Sequence, residues 1–301
     1  MGYFGRWGAN EVLRAPTFFS CWSSKVNEPD PRGFVRSLRG AIARAATRAR
    51  EIEGSATNAP KGREATPEKQ ALTQADLECQ EILLKALLES EPGVRIEAEE
   101  DTPTCQLFDD SRSESVVVID PIDGTLHSFL QGEGPYAILL GLVVEGVYRA
   151  GLVALPREGL FFSGATGSGA TWNRARGDER PARLQARGNR VLVSHGMPDS
   201  VCVALRARGF EVVFGCGGAV SVAPLIPGIR AGVRYAAGSA GVSPRGRIGV
   251  VISREAGAIV TGADGQSFPD DVDTPANTLL VAGNRDDSAA LQAAFAAANC
   301  L

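Results

Sequence analysis

Apolar residues recur at helical spacing early in the chain and predict an amphipathic helix. The apolar positions are Phe34, Leu38, Ile42, Ala45, Ala49 and Ile52. A second helix is predicted to begin after Thr73, because threonine favours the N-cap position and Asp76 then places a carboxylate in the first turn. Between these helices, residues 54–67 are rich in small residues, proline and charge, which predicts a loop.

Short runs of β-branched and apolar residues predict strands farther along the chain. Residues 116–119 form one such run, and residues 136–144 and 147–155 form two more, joined by Glu145-Gly146 as in a hairpin. In the second half, strands are predicted at 191–194, 211–214 and 279–282, and helices at 200–208 and 289–298. This alternation of strands and helices predicts a mixed α/β fold.

Composition places the chain among soluble globular proteins. Its 301 residues, 44% hydrophobic and 22% charged, are enough for a sizeable core in two lobes. A net charge of -4 gives no general attraction to nucleic acid, and no stretch reaches the length of apolar sequence that a membrane span requires. The six cysteines are scattered without a C-x-x-C pair, which argues against a zinc module and favours reduced thiols in the cytoplasm.

The first part of the chain, residues 1–32, is predicted to be an N-terminal extension. Its aromatic residues, among glycine, proline and serine, include Trp7, Phe18, Phe19 and Trp22. It lacks the continuous apolar segment of a secretory signal. Three interpretations stay open: a mobile arm, a segment that packs on the body or on a partner subunit, and a transit peptide.

The strongest chemical signal follows the predicted strand at residues 116–119. Asp120 and Asp123 lie three residues apart across a turn that Pro121 stiffens, and Glu99 lies about twenty residues upstream. Carboxylates gathered in this way require a cation, and oxygen ligands without nearby Cys or His suit Mg²⁺ better than zinc. Gly124-Thr125 then supplies backbone N–H groups and a hydroxyl at a helix start, which favours binding of an anion such as phosphate.

Residues 120–125, with the sequence D-P-I-D-G-T, resemble the signature of the inositol monophosphatase family. This family comprises lithium-sensitive, Mg²⁺-dependent phosphatases and includes the 3'(2'),5'-bisphosphate nucleotidases. Three more segments are similar to family motifs and occur in the family's order: a helix start at 72–76, paired glutamates at 96–100, and a late helix ending in E-A-G at 252–257. The resemblance implies a two-lobe, layered αβαβα sandwich of the sugar-phosphatase type.

The resemblance also implies roles for single residues. Glu99, Asp120, Asp123 and the Ile122 carbonyl would bind Mg²⁺. Gly124 and Thr125 would hold the phosphate, and Thr125 with Asp76 would activate the attacking water. The substrate would be a small phosphorylated metabolite of the inositol phosphate or nucleotide 3'-phosphate type. Residues 129–132, followed by Tyr136-Ala137, are similar to the bisphosphate nucleotidase branch.

The same resemblance divides the chain into lobes. Residues 33–185 would form an N-terminal α+β lobe carrying the metal site, and residues 186–301 a C-terminal α/β lobe lining the substrate pocket. Dimers are common in the family, so a homodimer is one of the assemblies it implies. Gly215 to Ala219 lacks the lysine of a phosphate-binding P-loop and predicts a turn before a helix, with Cys216 and Gly217 as candidate substrate contacts.

One position departs from the family. Aligned on the E-A-G segment, the family's late metal-ligand aspartate falls on Arg245. An arginine in place of a carboxylate would weaken a second metal ion by several kcal/mol, because a charge pair about 4 Å apart contributes roughly 4 kcal/mol at an effective dielectric near 20. One well-bound Mg²⁺ is therefore expected, with a doubtful second site. Arg245 would neutralise Asp120 and Asp123, meet the substrate phosphate, or lie on a surface loop.

Two functional hypotheses follow. The first is a metal-dependent phosphomonoesterase that uses in-line attack by an activated water. The alternative, which rests on Arg245, is an impaired pseudophosphatase or a scaffold reused for another purpose. Two histidines complete the candidate set. His127 follows the phosphate turn and lies either on the helix surface or at the pocket rim, where it is a candidate substrate contact. His195, at a strand end near the interlobe cleft, is interpreted as structural.

Overall fold

The computed structural model describes residues 29–61, 67–108, 113–175, 177–185, 187–239 and 241–298. Most of the predicted N-terminal extension, including its aromatic residues, lies outside the described residues. The helices are α1 (Pro31–Glu53), α2 (Pro67–Gln70), α3 (Gln74–Ser90), α4 (Asp199–Ala207), α5 (Gly217–Ser221), α6 (Ile248–Glu255) and α7 (Arg285–Ala297). A π-helical turn spans Thr125–Leu130, and 3₁₀ turns span Pro103–Leu107, Ala223–Leu225 and Arg245–Arg247.

Twelve strands in the described residues form two sheets. The first sheet contains β1 (Arg95–Glu97), β2 (Ser115–Asp123), β3 (Ala137–Val144), β4 (Val147–Leu155), β5 (Leu160–Ala165), β6 (Ala170–Arg174) and β7 (Arg180–Pro181), in that spatial order. The second contains β8 (Arg190–Ser194), β9 (Glu211–Gly215), β10 (Ile229–Tyr235), β11 (Ile259–Thr261) and β12 (Thr278–Ala282), in the order β11-β12-β10-β8-β9. Only β1 pairs parallel in the first sheet, whereas β8 pairs parallel with both β9 and β10.

The elements stack in five layers, as the predicted αβαβα sandwich requires. Helices α1 and α3 cover one face of the first sheet, and α5 and α6 lie between the two sheets. Helices α4 and α7 cover the far face of the second sheet. Each interface is filled by buried apolar side chains, such as Leu38 and Leu84 in the outer layer and Ile252 in the central one.

Local sequence chemistry accounts for the ends of several elements. Thr73 caps α3 as predicted, and the Asp76 side chain accepts a hydrogen bond from the Thr73 backbone N–H, which completes a capping box. The β3–β4 hairpin turns at the predicted Glu145-Gly146, where both residues have positive φ. The predicted helix after Gly215 is also present, as the short α5, with Cys216 at its N-cap. No helix in the described ranges is both long enough and apolar enough to cross a bilayer.

This arrangement gathers the chemical residues at one place. Strand β2 ends in Asp120 to Asp123, β8 ends next to His195, and β9 ends next to Cys216. Arg245 begins the 3₁₀ turn that leads into α6. These ends meet around a cavity of about 330 Å³, to which both sheets contribute lining residues.

Candidate active site

The predicted metal-binding residues lie together. Glu99, Asp120, Ile122 and Asp123 line the cavity beside Gly124 and Thr125. The Asp120 side chain is buried, and its Oδ1 atom has no hydrogen-bond partner among the described residues. Burial, together with the negative charges of Glu99 and Asp123, raises the pKa of Asp120 well above its usual range. The site therefore holds a carboxylate whose ionised form needs an additional cation.

Two basic side chains contact this cluster. Arg245 Nε lies 3.7 Å from Asp120 Oδ2, and Arg245 Nη2 lies 3.9 Å from Glu99 Oε1. Lys61 Nζ lies 2.5 Å from Glu100 Oε1 and 3.6 Å from Glu99 Oε1. The separations of Arg245 exceed a hydrogen-bond length, so its guanidinium is near the carboxylates without being bonded to them. Arg245 was expected to neutralise Asp120 and Asp123, to meet the substrate phosphate or to lie on a surface loop. The structure places it near Asp120 and Glu99, so Glu99 takes the place expected for Asp123.

Asp123 is held differently from its neighbours. Its Oδ2 atom accepts a hydrogen bond from the Gly218 N–H, in the first turn of α5. A Cβ atom at Gly218 would lie 2.6 Å from Leu139 Cδ2 and 3.0 Å from this Oδ2, so the close approach of α5 requires glycine here. Gly218 thus positions the Asp123 carboxylate, a role that the sequence did not suggest.

Asp76 and Thr125 are joined in a buried hydrogen-bond chain. The Thr125 hydroxyl lies 3.1 Å from Asp76 Oδ1 and 2.8 Å from the Ile122 carbonyl oxygen, so it can donate to either. Asp76 Oδ2 accepts hydrogen bonds of 2.7 Å from both the backbone N–H and the hydroxyl of Thr73. Burial raises the pKa of Asp76 to about 6. The Asp76 side chain therefore caps α3 and contacts Thr125 at the same time.

The turn after β2 is closed by a glycine in the left-handed region. Gly124 has φ 89°, and a Cβ there would lie 2.7 Å from Cys216 Cβ. The Gly124 carbonyl accepts from the N–H groups of Ser128 and Phe129, which starts the π-helical turn. Cys216 thus packs against the predicted phosphate turn, and burial raises the pKa of its thiol well above the usual range. Burial therefore favours the neutral thiol of Cys216 over a nucleophilic thiolate.

Arg234 is a cavity residue that sequence reasoning missed. Its Nη1 atom is buried against Gly217 and Gly246, where a Cβ would lie 1.8 Å and 2.2 Å from it. Within the described ranges, this nitrogen has no hydrogen-bond partner and Arg234 has no carboxylate ion pair. The signal was weak, because an arginine in the strand sequence I-R-A-G-V-R-Y does not reveal which element faces it.

Both histidines line the same cavity. Their rings stack with centroids 4.6 Å apart, and the His195 ring also stacks on Phe214 at 5.8 Å. Burial and the neighbouring His127 lower the pKa of His195, which favours its neutral form. The sequence placed His195 near the cleft but did not predict that it would meet His127.

Comparison with known proteins decides the family. Residues 35–208, more than half of the chain, match the model of the inositol monophosphatase family. The chain belongs to the inositol monophosphatase family. Its members depend on metal ions, typically Mg²⁺, and act on small phosphorylated substrates. The family membership confirms the resemblance inferred from the D-P-I-D-G-T segment.

Named relatives cover part of the chain. A putative Nus factor SuhB of Neisseria meningitidis is 32% identical over 129 residues, which are 42% of this chain and 46% of that protein. An inositol-1-monophosphatase of Mycobacterium bovis is 32% identical over 145 residues, 48% of this chain and 46% of its own length. A histidinol-phosphatase of Chlorobaculum parvum is 32% identical over 104 residues, 34% of this chain and 37% of that protein. The chain thus matches about half or less of the length of these curated relatives.

Solved structures share the fold across most of the chain. Thermotoga maritima IMPase superposes with a TM-score of 0.67 at 18% identity, covering 86% of this chain and 96% of that one. Mycobacterium tuberculosis SuhB gives a TM-score of 0.63 at 20% identity, covering 90% of this chain and 99% of its own. At such identities the likeness shows the fold alone, and it confirms the predicted layered α/β architecture.

Proposed function

We propose that the protein is a Mg²⁺-dependent phosphomonoesterase that releases inorganic phosphate from a small phosphorylated metabolite and holds one metal ion well. The observation that carries this proposal is the buried carboxylate cluster beside the Thr125–Asp76 hydrogen bond, in a single cavity. Family membership supports the same reaction class.

The ligand atoms fit one Mg²⁺ ion. Glu99, Asp120, Asp123 and the Ile122 carbonyl supply only oxygen donors, the kind that Mg²⁺ prefers. The unpartnered Asp120 Oδ1 is the ligand atom that a bound cation would satisfy. When bound, the ion supplies stabilisation of the negative charge that develops on the transferring phosphoryl group.

Charge favours one ion over two. The four carboxylates of Glu99, Glu100, Asp120 and Asp123 and the two cations of Lys61 and Arg245 carry a formal charge of -2. One divalent ion balances this charge. An aspartate at position 245 would change it to -4, which two divalent ions would balance. Arg245 therefore acts, in this proposal, as a fixed replacement for the second ion.

Thr73, Asp76 and Thr125 would together activate the attacking water molecule. Thr73 orients Asp76 through two hydrogen bonds and leaves Oδ1 for Thr125. With a pKa of about 6, Asp76 is ionised at neutral pH and can accept a proton relayed through the Thr125 hydroxyl. Gly124 and Thr125 contribute backbone N–H groups at the start of the π-helical turn, where a phosphate oxygen would be bound.

Arg234 narrows the substrate class. Its cationic side chain lines the cavity and has no carboxylate ion pair in the described residues, so a second anionic group of the substrate would pair with it. This favours a substrate with a second phosphate or a carboxylate over one with a single phosphate and neutral hydroxyls. The bisphosphate nucleotidase type of substrate meets this requirement.

A second function, phosphate-ester binding without turnover, is favoured by the positions of Arg245 and Lys61. Both cations already neutralise part of the cluster without a metal. A pseudophosphatase would use this neutralised pocket to bind an anionic ligand.

Phosphate release separates the two functions. Adenosine 3',5'-bisphosphate, inositol 1-phosphate and fructose 1,6-bisphosphate would be tested with and without Mg²⁺, in wild type, Asp120→Asn and Arg234→Gln. A phosphatase gives Mg²⁺-dependent release that Asp120→Asn abolishes, and Arg234→Gln raises KM for the bisphosphate about tenfold or more. Saturable binding without release, retained in Asp120→Asn, would replace the first function with the second.

A further inference from the structure

The two histidines of the chain, together with a glutamate, form a cluster beside the carboxylate cluster. His127 Nδ1 lies 3.6 Å from Glu133 Oε2, and His195 Nδ1 lies 3.8 Å from the same oxygen. One ligand atom from each of the three residues lies within 4.8 Å of the other two. Imidazole nitrogens and a carboxylate oxygen make a donor set that differs in kind from the all-oxygen set at Asp120.

Backbone contacts from both sheets hold the three residues in place. His127 lies in the π-helical turn, and its carbonyl accepts a 2.9 Å hydrogen bond from the Glu133 N–H. Gly134 then packs so closely on β9 that a Cβ would lie 1.9 Å from the Phe214 carbonyl oxygen. His195 follows β8 in the same sheet and lies between the rings of His127 and Phe214. The cluster therefore lies where the turn before β3 packs against the end of β9.

The two nitrogen–oxygen separations are close to those around a bound metal ion, and all three ligand atoms lie within 4.8 Å of one another. Ligand atoms about 2.0–2.1 Å from a tetrahedral zinc ion are about 3.3 Å apart. The two nitrogen–oxygen separations of 3.6 and 3.8 Å exceed this value by only a few tenths of an ångström. Binding would need a small rotation of the exposed Glu133 side chain. It would also need one imidazole to turn out of the stack, because the in-plane lone pairs of both rings must point at the same ion.

We propose that His127, Glu133 and His195 form a second metal site, selective for a transition-metal ion of the zinc class. Three protein ligands leave the fourth coordination position open, as in zinc sites that bind an exchangeable ligand. Because both histidines line the substrate cavity, an open position on the cavity side would take a water molecule or an anionic oxygen of a bound ligand. The proposal is independent of phosphatase activity.

The test measures metal binding directly. Protein without a polyhistidine tag would be titrated with Co²⁺ in millimolar Mg²⁺, with visible absorption as the readout, and then with Zn²⁺ in competition. We expect one Co²⁺ site per chain, displaced by one Zn²⁺. The affinity should fall about tenfold or more in His127→Ala and in His195→Ala.

Three further variants serve as controls. Glu133→Gln changes an exposed side chain, is expected to leave the fold intact, and should also weaken Co²⁺ binding about tenfold. Gln131→Ala removes a neighbour that contacts His127 Nδ1 but is not a proposed ligand, and should retain the affinity. Asp120→Asn should likewise retain the histidine-site signal. Co²⁺ affinity unchanged in both histidine variants, or lost in Asp120→Asn, would overturn the proposal, as would the absence of Co²⁺ binding in wild type.

Discussion

Among single residues, Arg245 places a cation beside the carboxylates of the proposed metal site. Arg245 is 3.7 Å from Asp120 and 3.9 Å from Glu99, close enough to neutralise them in part. It forms no hydrogen bond with either carboxylate, so it can move aside when a ligand enters. In the proposed function, the arginine lowers the number of divalent ions that the site needs and leaves in place the residues proposed to bind the first ion.

Changing Arg245→Asp should create the second metal position. The change adds a carboxylate and removes a cation, so calorimetric titration with Mg²⁺ should give two ions per chain where wild type gives one. Phosphate release should rise and become sensitive to lithium. Arg245→Gln is the matched control, since it removes the cation without adding a ligand, and its stoichiometry should stay at one. A stoichiometry of one in Arg245→Asp would contradict the charge argument.

Asp76 predicts a pH dependence of stability. Burial raises its pKa from 3.8 to about 6 in the folded protein, so folding favours the protonated form. The resulting stabilisation is fully present below about pH 4 and is lost as pH rises through 6. It amounts to about 2–3 kcal/mol, at 1.36 kcal/mol per pKa unit.

Urea unfolding of metal-free protein between pH 4 and 7 would measure this effect. The free energy of unfolding of wild type should fall with rising pH more steeply than that of Asp76→Asn. Asp120 has a raised pKa in both proteins, so the difference between the two slopes isolates Asp76. Equal slopes would show that Asp76 titrates normally in the folded state.

Residues of one short motif could be grouped from the sequence, and the family resemblance added distant residues such as Arg245, but the contacts of His195 and Arg234 could not be predicted. Asp120, Asp123 and Thr125 belong to one short segment, so their proximity follows from the motif itself. His195 and Arg234 reach the cavity from other strands, and nothing in their own segments shows what they face. Proximity of residues distant in sequence depends on how the sheets pack, which local patterns do not encode.

At the level of elements, the turn between the π-helical turn and β3 connects the two sheets. Gly132 and Gly134 both have positive φ, 78° and 77°. A Cβ at Gly132 would meet nothing within 4 Å, whereas one at Gly134 would collide with the backbone of Phe214. Both positions have a left-handed backbone, which favours glycine. Only at Gly134 does the packing of the turn on β9 also exclude a side chain.

This difference gives a matched pair of variants. Gly132→Ala should cost about 1–2 kcal/mol of unfolding free energy, the usual penalty of the left-handed conformation. Gly134→Ala should cost more, because the strand end must also move, and it should weaken Co²⁺ binding at the histidine cluster. Chemical denaturation of both variants measures the first effect. Equal losses would mean that the contact with Phe214 yields at no cost.

Elements with strong local signals were predicted well. Helix α3 has its cap, and the β3–β4 hairpin has its two-residue turn. The short α5 was anticipated, but its contact with Asp123 through Gly218 was not. The π-helical form of the turn after Gly124 also had no sequence signal, because it depends on two N–H groups that share one carbonyl.

For the whole molecule, the cavity is lined from both sheets, so ligands there should stabilise the folded state as a unit. Mg²⁺ together with inorganic phosphate should raise the midpoint of thermal unfolding, and a ligand at 100 times its dissociation constant adds about 2.7 kcal/mol. Asp120→Asn should remove the part of the increase that depends on Mg²⁺. An equal increase in that variant would place the ion elsewhere.

Helix α6 comes from the second half of the chain but packs on the first sheet. A Cβ at Gly151 in β4 would lie 2.8 Å from the Ile248 carbonyl oxygen, and one at Gly164 in β5 would lie 3.1 Å from Ile252 Cα. Glu255, at the end of this helix, accepts hydrogen bonds from the N–H groups of the β5–β6 turn. A gene fragment ending before the second sheet would lack α6 and would therefore expose an apolar face of the first sheet, which promotes aggregation. We expect the two halves to be recovered as soluble protein only when they are co-expressed.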